Sequence, residues 1–374
     1  MFYHLILTTD CDLKCRYCYG KSIEDMETDF GDFQIDYSVP KKISYSIETL
    51  KSFIERDPKP VIIFYGGEPL LCIDEIKEIM DHIKARAFII QTNGLNLMKL
   101  DPEYLRRLQT IFVSIDGEET LTDFYRGRNV YRKVIENLNL LMESGFSGEV
   151  VARMTVMEQT DIYRQVLWLL NNQDFSFSSI HWQINAGFWR SDIPDRLETF
   201  SKWVKESYNP GIRELISFWV KSMERGVVLR LYPFLGVMKS LLRGEGSLLR
   251  CGSGWINYTI QTDGHIIPCP IMIGMRDFYL GHIRDSDPSR LRKIYVGSPC
   301  TECEILHECG GRCLYANLTK RWPDQAYRLV CETVKNLIAQ LKRALPIVKR
   351  LISEGKISMK DFEFLEFNSC EVIP

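Results

Sequence analysis

The sequence predicts an α/β protein, and three observations carry that prediction. Six β-like runs alternate with helix-like runs over the first 187 residues, which implies a parallel sheet closed as a partial barrel or doubly wound. A length of 374 residues suits one large unit and a smaller one. Beyond residue 248 the alternation gives way to a cysteine-rich stretch.

Residues 2–9 (FYHLILTT) read as a buried strand that delivers a loop from its C-terminal end, where barrel folds keep their chemistry. Residues 20–41 show no periodicity; Glu24, Asp25, Glu27, Asp29, Asp32 and Asp36 stand beside Phe30, Phe33 and Tyr37, as a solvated loop or a lid for a basic or aromatic substrate. Ile47, Leu50, Phe53 and Ile54 recur at helical spacing. Strands follow at 61–65, 87–91, 110–115, 149–156 and 179–185, with helices near 73–84, 102–109, 130–143 and 161–171. Residues 195–208 and 211–225 look helical, with a turn at Asn209-Pro210-Gly211 and with Trp189, Trp203, Phe218 and Trp219 as packing surface or channel wall. From Glu332 to Ile352 apolar spacing sketches a helix kinked or broken at Pro346, and Lys335, Lys342, Arg343, Lys349 and Arg350 decorate it as a solvated face or a surface for an acidic peptide. Phe362, Phe364 and Phe367 imply a docked tail. The divisions expected are 1–187, 188–247, 248–335 and 336–374.

With 47 basic and 49 acidic residues and a net charge of -2, no nucleic-acid footprint exists. No apolar run reaches the roughly 18 residues of a membrane span and no signal peptide is visible, so a cytoplasmic protein is expected. Twelve cysteines in such a chain argue for metal over disulfides.

Cys11, Cys15 and Cys18 stand at C-x3-C-x2-C spacing directly after the first strand. Three thiolates on one cube of iron and sulfur leave one iron without a protein ligand; a zinc knuckle or three reduced core thiols are the plainer alternatives. Gly66-Gly67-Glu68-Pro69 ends the second strand. This pair of motifs resembles the radical S-adenosylmethionine (SAM) superfamily, and the resemblance implies a (β/α)6 partial barrel. SAM would chelate the open iron, and one-electron reduction would release a 5′-deoxyadenosyl radical. Tyr17 fits the family pattern, and Glu68 is expected to accept from the SAM ammonium. Ser114 and Asp116 resemble the ribose-binding S-x-D-G, and Arg126 the arginine that reaches the SAM carboxylate. Asn93, Arg153 and Gln183 fall at the barrel mouth, as cofactor-binding or core hydrogen-bonding residues.

Cys251 and Cys269 form C-x12-G-x4-C around Gly264; Cys300, Cys303, Cys309 and Cys313 form C-x2-C-x5-C-x3-C, and Cys331 follows. These spacings resemble the SPASM domains of peptide-modifying radical SAM enzymes, with zinc-ribbon pairs as the alternative. The resemblance assigns Cys300, Cys303, Cys309 and Cys331 to one auxiliary cluster and Cys251, Cys269 and Cys313 to another, three [4Fe-4S] clusters in all. Cys72 and Cys370 remain spare. The DG turn of Asp263-Gly264 implies a β-hairpin.

The function implied is hydrogen abstraction from a residue of a peptide or protein substrate, with thioether or carbon-carbon cross-linking of a ribosomally made peptide ahead of sulfatase-type oxidation of Cys or Ser to formylglycine. Anaerobic sulfatase maturases place a base directly after the cysteine matched by Cys269, where this chain has Pro270. The catalytic base is not identified. A non-catalytic Fe–S carrier is the alternative of another class. The partners implied are an electron donor such as flavodoxin or ferredoxin and, because the first strand begins at residue 2, leader recognition by residues 188–247, by the C-terminal segment or by a separate leader-binding protein.

Overall fold

The computed structural model describes residues 1–18, 33–187 and 193–368, with backbone alone for 193–195. Residues 19–32, Trp189 and Cys370 lie outside the described residues, and with them most of the expected lid. Two compact units emerge, one of Met1–Ile115, Glu119–Val151 and Gly252–Ile294, the other of Asp116–Glu118, Ala152–Cys251 and Tyr295–Pro374.

The first unit is built on β1 (Phe2–Thr8), buried at every position, as a central parallel strand must be. Its neighbours β2 (Val61–Gly66), β3 (Ala87–Thr92) and β4 (Leu108–Ser114) pair in parallel, and β7 (Asn257–Ile260) pairs in parallel with the other edge of β1. From β7 the antiparallel β8 (His265–Ile267) and β9 (Gly281–His282) follow. The strand order within this unit is β4-β3-β2-β1-β7-β8-β9, and the chain goes on from β4 to β5 (Glu149–Val156) and β6 (Ser179–Ile184). The hairpin predicted around Asp263-Gly264 forms, with Gly264 at a φ of 94°. It extends the main sheet, because β1 has no β/α partner on that side and would otherwise present an unpaired edge.

Helices α1 (Ile47–Ile54), α2 (Ile73–His82) and α3 (Pro102–Leu105) link these strands. The third is shorter than the expected 102–109, because Leu108 already pairs with Phe88 in the sheet. Helices α4 (Glu119–Arg126) and α5 (Val130–Glu143) follow, the first absent from the sequence reading.

The second unit holds α6 (Ile162–Leu170), α7 (Ile193–Trp203), α8 (Asn209–Glu224) and α9 (Tyr232–Arg243). The turn expected at Asn209-Pro210-Gly211 does not form. The chain passes from α7 through a π-helical segment, Val204–Tyr208, into α8, whose first turn tolerates Pro210 because a proline there loses no intrahelical bond. Gly211 instead serves close packing, since a Cβ there would stand 2.8 Å from the Ile162 side chain. Trp203 and Trp219 pack and are satisfied, Trp203 donating to the Thr160 carbonyl at 2.9 Å and Trp219 to that of Leu229 at 2.8 Å.

Helices α10 (Leu306–Cys309), α11 (Leu314–Thr319) and α12 (Asp324–Ser353) complete this unit. Pro346 does not break α12, which runs through it; the proline is exposed, so the carbonyl it leaves unbonded can face water. Lys335, Lys342, Arg343, Lys349 and Arg350 are all exposed on it. The tail docks: Phe362 is fully buried edge-on to Trp219, Phe364 lies on Tyr232, and the buried Lys239 bonds Glu363 and Glu366.

Candidate radical SAM site

The ends of β1, β2 and β3 meet in one polar frame in the first unit. Gly67 N donates to the Thr8 carbonyl at 2.8 Å and Glu68 N to that of Asp10 at 2.9 Å, so the GGEP turn is tied to the chain entering Cys11. This contact explains both glycines. A Cβ at Gly66, whose φ is 146°, would lie 2.3 Å from the Thr8 carbonyl oxygen, and one at Gly67 would lie 2.2 Å from that of Asp10. Pro69 opens a short 3-10 turn, Pro69–Leu71.

Glu68 is fully buried. Its Oε1 accepts from Leu70 N at 3.0 Å and from the Thr92 hydroxyl at 2.7 Å, and its Oε2 accepts from Asn93 N at 2.7 Å. Burial pushes its pKa up to about 7 against these bonds, which favour the charged form. Asn93 then reaches the cysteine loop, its amide donating to Asp12 Oδ1 at 2.6 Å and lying 3.9 Å from the Cys11 sulfur. Asn96 holds the other Asp12 oxygen at 2.7 Å. Sequence reasoning missed Asp12 and Asn96; the signal available was a carboxylate inside the cysteine motif and a second asparagine three residues after Asn93.

The loop's far side meets α4. Cys18 N donates to the Cys15 carbonyl at 3.1 Å, and Arg16 N to that of Tyr125 at 2.9 Å. The Arg16 guanidinium sits 4.0 Å from the Phe124 ring centre, and the buried Arg126 guanidinium 5.3 Å from that of Tyr17, whose ring also meets Tyr125 at 5.3 Å. Cation–π contact thus aligns Arg126 with the cysteine loop. Ser114 ends β4 in this unit. Cys72 is buried, its thiol 3.9 Å from the Leu7 carbonyl and its pKa pushed up to about 11 by burial.

In the second unit, the fully buried Asp116 accepts from Thr155 N at 2.9 Å. Arg153 is clamped between His181 Nδ1 at 2.8 Å and Gln183 Oε1 at 2.9 Å, so β5 and β6 hold one guanidinium in place.

Cys300, Cys303, Cys309 and Cys331 are free thiols that gather in this unit. Cys331 is pushed up to about 11 by burial, with Cys300, Cys309 and Cys303 near enough to add to the rise. Cys251 and Cys313 also belong to this unit, and Cys269 to the first. Among the described residues no three Cys, His, Asp or Glu converge as a single-ion site. A cube of four irons asks something else, with each thiolate on its own iron. Three thiols on one tied loop, with an amide beside the Cys11 sulfur, fit such a group, as does the gathered four-thiol set.

Within the described part of the 20–41 stretch, Asp36 is held well below the usual range, at about 2, by the Ser38 hydroxyl and Arg276. Its backbone N donates to the Gly274 carbonyl at 2.7 Å.

Residues 5–167 match the model of the radical SAM superfamily. The chain carries a radical SAM domain. A radical SAM cyclopropyl synthase of Paramaledivibacter caminithermalis is 21% identical over 94% of this chain and 76% of its own length. A cysteine-type anaerobic sulfatase-maturating enzyme of Clostridium perfringens is 21% identical over 88% of this chain and 92% of its own length. The structure of native anSMEcpe with bound AdoMet and Cp18Cys peptide superposes with a TM-score of 0.67 at 19% identity, covering 94% of this chain and 99% of that one, a likeness of fold. The matched domain is that of a radical SAM enzyme, and the relatives that match along most of the chain are named as a synthase and a maturase. None of its described helices is long and apolar enough to cross a membrane.

Proposed function

We propose that this radical SAM enzyme modifies a residue of a peptide or protein, forming a thioether or carbon-carbon cross-link in a ribosomally made peptide. One observation carries the reading: a tied three-thiol loop and a four-thiol set, with Cys300 buried and the other three half-buried, occur in one chain, and relatives named as maturases and synthases match along most of it. Peptide bound to a neighbour of the same fold adds support for a peptide substrate.

Cys11, Cys15 and Cys18 would hold the SAM-binding cluster, and reduction of SAM there supplies a 5′-deoxyadenosyl radical. The chain's own residues bind and orient. Arg126, aligned by Tyr17, offers its fork to the SAM carboxylate. Asn93, Ser114, Asp116, Arg153 and Gln183 contribute polar groups toward SAM. Glu68 fixes the frame through three protein donors, two on Oε1 and one on Oε2, and its Oε2 keeps an acceptor position that would serve the SAM ammonium. Cys300, Cys303, Cys309 and Cys331 would hold one auxiliary cluster and Cys251, Cys269 and Cys313 another.

Sulfatase-type oxidation is the second reading, favoured by the Clostridium relative. Against it, Cys269 is followed by Pro270, which opens a 3-10 turn and carries no titratable group, so general-base catalysis has no agent at that place. Anaerobic incubation with SAM, a reductant and candidate peptides tests both. Formation of 5′-deoxyadenosine with loss of a hydrogen pair and a new bond mapped by tandem mass spectrometry is expected. An aldehyde on a sulfatase peptide would replace this reading with the second, and no reductive cleavage of SAM would end both.

A further inference from the structure

We infer that Tyr327 is a positioning residue that donates a hydrogen bond to the Cys300 sulfur and thereby raises the reduction potential of the cluster held by Cys300, Cys303, Cys309 and Cys331. The inference rests on the auxiliary-cluster reading above. Tyr327 and Cys331 lie four residues apart on α12, so one helix face presents a thiol and, a turn earlier, a phenol to the same set. The Tyr327 oxygen is 3.0 Å from the Cys300 sulfur.

The direction of that bond follows from its neighbour. Asn317, almost wholly buried, accepts from Gly297 N at 2.7 Å through Oδ1, which fixes its Nδ2 as donor to the Gly297 carbonyl at 3.0 Å and to the Tyr327 oxygen at 3.4 Å. The phenol therefore accepts from Asn317 and keeps its own proton for sulfur. A cysteine that ligates iron has lost its proton and can only accept. A relay thus runs from the Asn317 amide through the Tyr327 hydroxyl to Cys300, and a second donor, the Arg312 backbone N, lies 3.5 Å from the Cys309 sulfur.

Hydrogen bonds to cluster sulfurs withdraw electron density and favour the reduced, more negative state, so they raise the potential. The Cys300 side is buried, where such a bond is stronger than in water. Tyr327→Phe removes the proton donor and keeps the ring that packs near Trp322.

The test is a potentiometric titration of the full chain, reconstituted anaerobically and followed by electron paramagnetic resonance. In Tyr327→Phe the midpoint of a single auxiliary cluster should shift negative, while iron content and the SAM-responsive signal stay as in the wild type. A variant with full iron and every midpoint unmoved overturns the inference alone. A wild-type protein with about four irons in place of about twelve overturns the auxiliary-cluster reading, and this inference with it. Where the variant fails to assemble, the wild type decides: an Fe–S stretching band that shifts on transfer to deuterated water is expected, and its absence overturns the inference.

Discussion

The loop of Cys11 and the surroundings of Cys300 differ in what backs the thiol. Cys11 is exposed, with Leu13 N at 3.4 Å and the Asn93 amide at 3.9 Å from its sulfur, and the place of its loop comes from strand ends tied by Gly67, Glu68, Asn93 and Asp12. Cys300 is buried, and its surroundings reach the sulfur itself, through Tyr327. A thiol set whose iron must meet an incoming ligand has to stay open, so its order is supplied by the backbone behind it. On the proposed reading, the set of Cys300 would hold a cluster that needs no open iron, so it can be closed, and its properties would then be set by groups in contact with sulfur.

The sharpest way to break this comparison is to empty the open loop. Replacing Cys11, Cys15 and Cys18 together by Ala should abolish 5′-deoxyadenosine formation and leave roughly eight of about twelve irons, read by iron assay and chromatography. Residual SAM cleavage would show that the loop is not the open site.

Next in size is the backing of that loop. Gly66→Ala drives a Cβ into the Thr8 carbonyl at a positive φ, and neither backbone can yield. A loss on the order of 3 kcal/mol is expected in denaturant unfolding. An unchanged midpoint would mean that β1 and β2 separate freely.

Glu68 gives a pH signature. Its folded pKa is raised to about 7 from 4.5, so the folded state keeps a proton the unfolded state gives up. Stability should therefore fall as pH rises from about 4.5 to about 7 and level off above, with a slope approaching 1.4 kcal/mol per unit. Glu68→Gln should remove that slope. Thermal unfolding of both proteins across the range checks the sign.

Smaller effects separate the frame from ordinary surface charge. Asn96→Ala releases one oxygen of the exposed Asp12 and should cost about 1 kcal/mol, with faster iron loss from the Cys11 loop under chelator. Lys335→Ala, which breaks an exposed pair with Glu304, should stay within about 0.5 kcal/mol. Equal effects from the two would remove the distinction.

Much of this was legible in the sequence where a local pattern suffices. The strand and helix alternation, the hairpin at Gly264 and the docked phenylalanines are local or periodic signals, and they fold as read. What escaped reading depends on partners far away in the chain. Gly66 and Gly67 are conspicuous, yet their immediate cause is the carbonyls of Thr8 and Asp10, some sixty residues earlier. Asp12 looks like any loop carboxylate until Asn93 and Asn96 arrive just after β3. Asn209-Pro210-Gly211 spells a turn, but tertiary packing against Ile162 and a π-helical segment let a helix pass through it.

The parallel pairing of β7 with β1 bears on how such a protein can be dissected. Phe2 to Leu5 register against Asn257 to Ile260, so the most buried strand of the catalytic half is flanked by a strand encoded some 250 residues later. A fragment stopped near residue 187 would bare an apolar edge primed to recruit other chains. Transplanting the cysteine-rich segment between relatives is therefore a graft onto the sheet itself, and a seam chosen by gene order would cut through one continuous ladder of backbone bonds.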